Sequence, residues 1–423
     1  MLKRLRNPRC SHQPELRPGP SQPPNVHPAL FRQQRPLPAL PPNNRRRRPS
    51  NPPPGPPPLI LHPHFSPTPP IATGGANHSI LITPTGDLHT CGINDHSQLG
   101  HGPASPPYPS FTLVALATPT RFVAAACGWD HTLLVCDESR VWGFGSDEEG
   151  QIAGSGGEGV PTIIEGITGR VQRIGCGLRH SIAIGDVGEV WGWGGNRHGE
   201  LGAAGVLGEP RRGRATRAVV PTPTVLPLPP TLAVACGQHH TILLTQSGRI
   251  LAFGRNRFGQ LGTDPSLLPR SSAPIEIRLP PHAGRPIHVF SGWSHAGVIC
   301  SSGHVFLWGR NDHGQLGTLQ ESIAVGGRRD SPVAMCYTPV ELKSLHGARS
   351  IVCGSEHALA VGADGGCWAW GWNEHGNCGV GGTEDVLEPR LVRDASVNGR
   401  VRVGCGYGHS FLVNVIGEET VPS

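Results

Sequence analysis

From Val171 to Cys176 apolar and polar side chains alternate, Gly177-Leu-Arg-His180 interrupts the run, and Ser181-Ile-Ala-Ile184 resumes it. Alternation with a period of two is the pattern of a half-buried strand, and a glycine-led tetrapeptide between two such runs is a turn. Gly185-Asp-Val-Gly188 then reads as a hairpin turn and Glu189-Val-Trp-Gly-Trp-Gly194 as a third strand. Asn196 and Gly199 suit a turn that needs left-handed backbone geometry. The stretch predicts an antiparallel meander closed by a structured loop.

The same unit recurs along the chain. Gly-x-x-His stands at Gly75/His78, Gly128/His131, Gly177/His180, Gly237/His240, Gly292/His295, Gly354/His357 and Gly406/His409, at spacings of 49 to 62 residues. Behind each of the first six follows Gly-x-Asn-x-x-Gly-Gln-Leu-Gly or a variant, beginning at Gly92, Gly145, Gly194, Gly254, Gly309 and Gly371. Two motifs in phase at this period mark a repeat architecture whose units pack on their neighbours, as in a propeller or solenoid. One folded domain over 71–415 is expected, with tails at 1–70 and 416–423. Trp142, Trp191, Trp308, Trp368 and Phe253 are expected to fill the space between units.

Composition narrows the chemistry. Glycine is abundant at 59 residues and charged residues make up only 16%, which suits an all-β chain with many tight turns. The net charge of +6 belongs to the tail: residues 1–70 hold 11 Lys or Arg against Glu15, which leaves the remainder mildly acidic. A broad nucleic-acid surface on the repeats is therefore disfavoured. Cys127, Cys176, Cys236, Cys353 and Cys405 share one repeat position and read as small buried hydrophobes rather than disulfide partners. The absence of a secretory hydrophobic region and of a long apolar run points to a cytoplasmic chain with no membrane partner, and nuclear entry is open to it.

The repeated histidines tempt a metal or catalytic reading. A residue that recurs in every unit is better explained by structure, each imidazole satisfying buried backbone groups of its own blade. No hydrolase elbow, phosphate loop or zinc spacing is present, so the expectation is no enzyme, no cofactor and no metal.

Cys-Gly-x-x-His-Ser/Thr followed by Trp-Gly-x-Asn-x-x-Gly-Gln-Leu-Gly resembles the regulator of chromosome condensation repeat family over about residues 71–415. The resemblance implies a seven-bladed β-propeller. Ala126-Cys-Gly-Trp-Asp-His131, Ser291-Gly-Trp-Ser-His295, Cys353-Gly-Ser-Glu-His357 and Trp370-Gly-Trp-Asn-Glu-His-Gly-Asn-Cys-Gly379 are most similar to its group of secretion-regulating guanine nucleotide exchange factors and fungal alpha-tubulin suppressors. That group implies a monomeric interaction propeller that regulates a small GTPase, or partners the small zinc protein of diphthamide synthesis and Elongator in tRNA wobble-uridine modification. True Ran-type exchange is the alternative.

Two features depart from the family. Its propellers open with an extra strand that completes the last blade, and residues 1–70 hold no such motif, so the last blade is expected to be incomplete. Pairing by Val26 to Leu40, or by Leu59 to Phe65, is disfavoured by their prolines. Acids face the GTPase in the second and third turns of the Ran exchange factor, whereas here Asp130 keeps the charge and Arg179 reverses it.

The tail, with 22 of the 45 prolines, is expected to be disordered or polyproline-like. Within it Arg35, Pro38 and Pro41 have the spacing of an SH3 ligand, and Arg45 to Arg48 that of an import or anion-binding run. Insertions near 102–120, 203–230, 263–285 and 318–348 read as loops between blades, two of them carrying Arg211 to Arg214 and Gly327-Arg-Arg329. Trp129, Asp130, Arg179, Trp293, Glu356, Trp372, Glu374 and His375, taken as exposed turn residues on one face, are the candidate partner-binding set.

Overall fold

The computed structural model describes residues 28–30, 70–103, 105–154, 159–202, 218–319, 324–328, 331–393 and 400–415. It is an all-β propeller: six sheets of four or five strands, and another of three. The third sheet, with strands Val171–Cys176, His180–Gly185, Val190–Gly195 and Val219–Val225, is an antiparallel meander in which each strand pairs with the next. The first three strands lie where the alternation places them. Blades one to six span 71–113, 122–163, 171–225, 231–277, 286–341 and 350–393. Among the described residues the only helical turns are the short 3-10 segments Pro281–Ala283 and Lys343–Leu345.

Each blade's first strand packs on the first strand of the next. The contacts run from Ile71–Gly74 through Phe122–Cys127, Val171–Cys176, Thr231–Cys236, Pro286–Ser291, Ser350–Cys353 and Arg400–Cys405, which returns to Ile71–Gly74. The backbone closes the same circle. Ala76 N donates to Trp129 O, Trp129 N to Leu178 O, Leu178 N to Gln238 O, Gln238 N to Trp293 O, Trp293 N to Ser355 O, Ser355 N to Tyr407 O, and Tyr407 N to Gly75 O, at 2.8 to 3.4 Å.

The stretches read as loops between blades hold the outer strands instead. Tyr108–Leu113, Val219–Val225, Arg270–Ile277 and Ser331–Glu341 each pair with the third strand of their own blade. Val219-Val-Pro-Thr-Pro-Thr-Val225 carries two prolines and no clean alternation, which hides it from a pattern search. An edge strand has one side unpaired, so it accommodates proline and half-exposed polar residues.

Phe253 and Trp308 fill the space between blades as expected, whereas in three other blades that position belongs to Phe144, Trp193 and Trp370, two residues beyond the expected Trp142, Trp191 and Trp368. Phe144, Trp193, Phe253, Trp308 and Trp370 are fully buried, while Trp142 and Trp368 are only half-buried. Residues two apart share a strand face, and the one nearer the glycine-led loop wedges under the preceding blade. There the indole N–H of Trp193, Trp308 and Trp370 donates at 2.9 Å to the carbonyl oxygens of Gln151, Gln260 and Gln315.

The histidines are structural, but they bond across blades rather than within one. His78 Nε2 lies 3.0 Å from Thr132 Oγ1, His131 Nε2 3.2 Å from Ser181 Oγ, His180 Nε2 3.0 Å from Thr241 Oγ1, and His357 Nε2 3.0 Å from Ser410 Oγ. His409 Nε2 closes the circle on Ser79 Oγ at 3.0 Å. In two blades the hydroxyl position is alanine, Ala296 and Ala358. His240 therefore takes Ser291 Oγ at 2.9 Å instead, and neither ring nitrogen of His295 has a partner. Each turn glycine is required by space: a Cβ on Gly177 would overlap His180 Cε1 and stand 2.7 Å from Gly237 O of the next blade. Gly177→Ala is expected to cost about 3 kcal/mol, measured by denaturant unfolding; a loss below about 1 kcal/mol would show that the blades yield there.

The small sheet corrects the reading of the tail. Pro28–Leu30 pairs antiparallel with Ser410–Val415, in register Pro28↔Val413, Ala29↔Leu412 and Leu30↔Phe411. Residues within the disfavoured 26–40 stretch thus supply the closing strand without the family motif. Pro28 stands at the first position of an edge strand, where a missing N–H gives up no ladder bond. The SH3-ligand spacing at Arg35, Pro38 and Pro41, the Arg45 to Arg48 run and the Arg211 to Arg214 cluster lie outside the described residues.

Candidate functional site

The propeller face that carries the Gly-x-x-His turns also carries the asparagine-glycine loops, and both are built rigidly. Asn94, Asn196, Asn256, Asn311 and Asn373 each accept the amide five residues on through Oδ1, at 2.8 to 3.0 Å. Asp147 does the same in blade two, at 2.8 Å from Ile152 N. Gln98, Gln260 and Gln315 each fold back on the amide two residues earlier, at 2.7 to 2.9 Å. These side-chain bonds replace a ladder that the loop lacks and fix what the loop displays.

The residue before a repeat histidine reaches the preceding blade's loop. Arg179 Nη1 donates to Glu148 Oε2 at 2.7 Å and lies 3.6 Å from Glu149 Oε1. Asp130 stands 3.9 Å from His96 Nε2. Glu356 accepts from Arg310 Nη1 at 2.7 Å and from Gln315 Nε2 at 2.6 Å. Burial raises the carboxyls of Asp130 and Glu356 above the usual range, against the pull of the neighbouring His96 and Arg310. Glu356 is thus buried inside an inter-blade ion pair rather than exposed.

Around Asp130 charges of both signs meet, His96 and Arg179 favouring its ionisation more than the neighbouring acids oppose it. Asp95 and Glu148 are close enough to disfavour its ionisation, while Arg179 bears on Asp130 and pairs with Glu148 and Glu149. The positive charge that Arg179 brings to the third turn is more than offset by blade two's Asp147-Glu-Glu149.

On the same face Trp129 and Trp293 stack with ring centroids 5.4 Å apart, and Tyr407 meets them at 5.6 and 5.3 Å. All three follow a turn glycine, so the backbone circle brings blades two and five and the three-stranded sheet to one point. The two tryptophans are half-buried against each other rather than free. Tyr407 was not singled out in the sequence, although it shares their repeat position. On blade six Trp372 is half-buried against His375, centroids 5.2 Å apart, and Glu374 and His375 are exposed. The eight candidates therefore fall into four places: Trp129 and Trp293 in the aromatic cluster, Asp130 and Arg179 on the rim at blades one to three, Glu356 in the buried ion pair between blades five and six, and Trp372, Glu374 and His375 on the blade-six loop.

Between blades three and four a cleft of about 390 Å³ is lined by Arg179, Arg197, His198, Glu200, His239 and Arg255, among others. Glu200 stands where neighbouring repeats carry glutamine and is 3% exposed. His239 Nδ1 at 3.2 Å and the His198 amide at 2.7 Å hold its carboxyl below the usual range, although burial opposes ionisation.

Residues 46–412 match the RCC1-like domain. The chain belongs to the RCC1-like family. This RCC1-like chain is 34% identical over 370 residues to the mouse secretion-regulating guanine nucleotide exchange factor, covering 83% of itself and 77% of that protein. It is 35% identical over 352 residues to the bovine protein of the same name, covering 81% and 74%. The ultraviolet-B receptor UVR8 of Arabidopsis thaliana is similar at 30% identity, over 77% of this chain and 70% of that one. Among solved structures, yeast RCC1 (Prp20) bound to Kap60 aligns with a TM-score of 0.72 at 19% identity, covering 82% of this chain and 80% of that one, a likeness of fold. Human WBSCR16 aligns with a TM-score of 0.67 at 23% identity, covering 82% and 86%.

Proposed function

We propose that this RCC1-like propeller is a protein-binding regulator of a small GTPase, acting through the face that carries the Gly-x-x-His turns and without covalent catalysis. We count the three-stranded sheet as its seventh blade. The observation that carries the reading is the acidic rim of Asp95, Asp130, Glu148 and Glu149, which restores on blade two the negative charge that Arg179 removes from the third turn. The similarity to secretion-regulating exchange factors over most of their length supports it. Nucleotide exchange needs no nucleophile. Carboxylates and apolar groups that bind the switch segments better in the nucleotide-free state shift the equilibrium toward release.

The finer alternative, partnership with the small zinc protein of diphthamide synthesis and Elongator, rests on the fungal side of the resemblance. Capture on the immobilised full chain separates the two. Nucleotide-free Ran, Rab or Rho proteins are expected to be retained, and Glu148→Lys/Glu149→Lys to lose at least about tenfold in affinity. Retention of the zinc protein or Elongator, lost in Trp372→Ala/Glu374→Ala but not in the rim variant, would replace the GTPase reading.

A further inference from the structure

We propose that His282, His304 and Glu341, with His346 beside them, form a zinc-class metal site on the propeller face opposite the Gly-x-x-His turns. His282 belongs to the 3-10 turn Pro281–Ala283 that leads into blade five. His304 follows that blade's hairpin turn and precedes the strand Val305–Arg310, and Glu341 ends its outer strand Ser331–Glu341. His346 caps the turn Lys343–Leu345 that leads into blade six. Three separate connections therefore meet where the topology alone would only bring them near.

The donors face one another. His304 Nδ1 lies 2.6 Å from Glu341 Oε1, and His282 Nε2 lies 3.6 Å from Glu341 Oε2. One nitrogen or oxygen from each of His282, His304 and Glu341 falls within 4.8 Å of the others. The His304 ring stands between those of His282 and His346, centroids 5.2 and 4.9 Å away, edge-on to both. Gly347 N donates to Gly303 O at 2.7 Å, which holds the blade-six connection against the blade-five hairpin. A divalent ion bound at about 2.0–2.2 Å from nitrogen and oxygen needs only small side-chain rotations from such a start. Imidazole with carboxylate suits zinc, and cobalt or nickel as its surrogates, rather than magnesium or calcium.

The other imidazole–carboxylate group, His198, Glu200 and His239, is a poorer cation site. Arg197 and Arg255 bear on His198 with like charge, and one Glu200 oxygen is already held by the His198 amide. At Glu341 both oxygens face imidazoles, and the cationic Lys343 bears on it less than either of them.

The test is calorimetric titration of the tag-free full chain with Zn²⁺, repeated with Co²⁺ for its ligand-field bands. One ion per chain is expected, together with a higher melting temperature that His304→Ala abolishes. Glu341→Gln, which keeps the shape and a hydrogen bond, is expected to weaken binding at least about tenfold, while His239→Ala leaves it unchanged. Failure of Zn²⁺ to saturate one site, or binding lost in His239→Ala and retained in both His304→Ala and Glu341→Gln, overturns the assignment.

Discussion

Acidification from neutral pH to about pH 4 is expected to unfold the propeller. His78, His131, His180, His240, His295 and His357 are at most 1% exposed. Burial holds the imidazoles of His78, His131, His240 and His357 down to about 3, and those of His180 and His295 to about 4. Unfolded, each titrates near its ordinary value of about 6.5. With the folded values depressed, the unfolded chain binds more protons in the interval between. The contribution of these groups is therefore intact above about pH 6.5 and is lost as the pH falls toward the folded values.

Each imidazole costs about 1.4 kcal/mol per pH unit in that interval, so at pH 5 each removes about 2 kcal/mol. Six of them together remove on the order of ten, comparable with the whole stability of a typical domain at about 5–15 kcal/mol. Denaturant unfolding followed by circular dichroism across this range should give a slope that corresponds to uptake of several protons. A stability flat between pH 7 and 5 would mean that the rings are hydrated in solution.

Arg310→Met is expected to destabilise the protein by about 3 kcal/mol at neutral pH. Arg310 is bonded to Glu356 at 2.7 Å and to Asp312 at 2.6 Å, and its guanidinium lies 5.1 Å from the Phe258 ring centroid. Removing it leaves Glu356, at 8% exposed, with Gln315 as its remaining donor. The folded pKa of Glu356 is already raised by burial, so its ionisation costs stability above that folded value and the cost is relieved as the pH falls below the ordinary carboxylate value. Without the guanidinium that cost grows. The variant should thus be weakest at neutral pH and closest to wild type in mild acid, and Arg310→Met/Glu356→Gln should recover most of the loss. A double variant as unstable as the single one would assign the defect to lost packing on Phe258 instead.

The fold was largely legible because its information is periodic. The Val171–Cys176 alternation, the Gly-x-x-His turn and the asparagine-glycine loop each report a local geometric need and repeat it. The outer strands were not legible, since Val219–Val225 faces a partner on one edge only and tolerates the prolines that signal a loop. Pro28–Leu30 was missed for the same reason. The histidines were rightly read as structural, but their hydroxyl partners lie some fifty or more residues on, as in His78 and Thr132, beyond any local pattern.

The site was less legible. Trp129 and Trp293 stood out by type, yet only the closed backbone circle shows that they meet each other and Tyr407. Arg179 looked like a charge reversal because Glu148 and Glu149, its neighbours in space, belong to the preceding repeat. His282, His304 and Glu341 gave no spacing to recognise, because three different connections supply them.

The most direct test of the account is the rate of fluorescent-nucleotide release from a panel of Ran, Rab and Rho GTPases, with the wild-type chain and with Glu148→Lys/Glu149→Lys. Wild type is expected to accelerate release from at least one member, and the rim variant to lose most of that acceleration while its melting temperature stays near wild type. Release from every GTPase at its intrinsic rate, or equal acceleration by both chains, would contradict it.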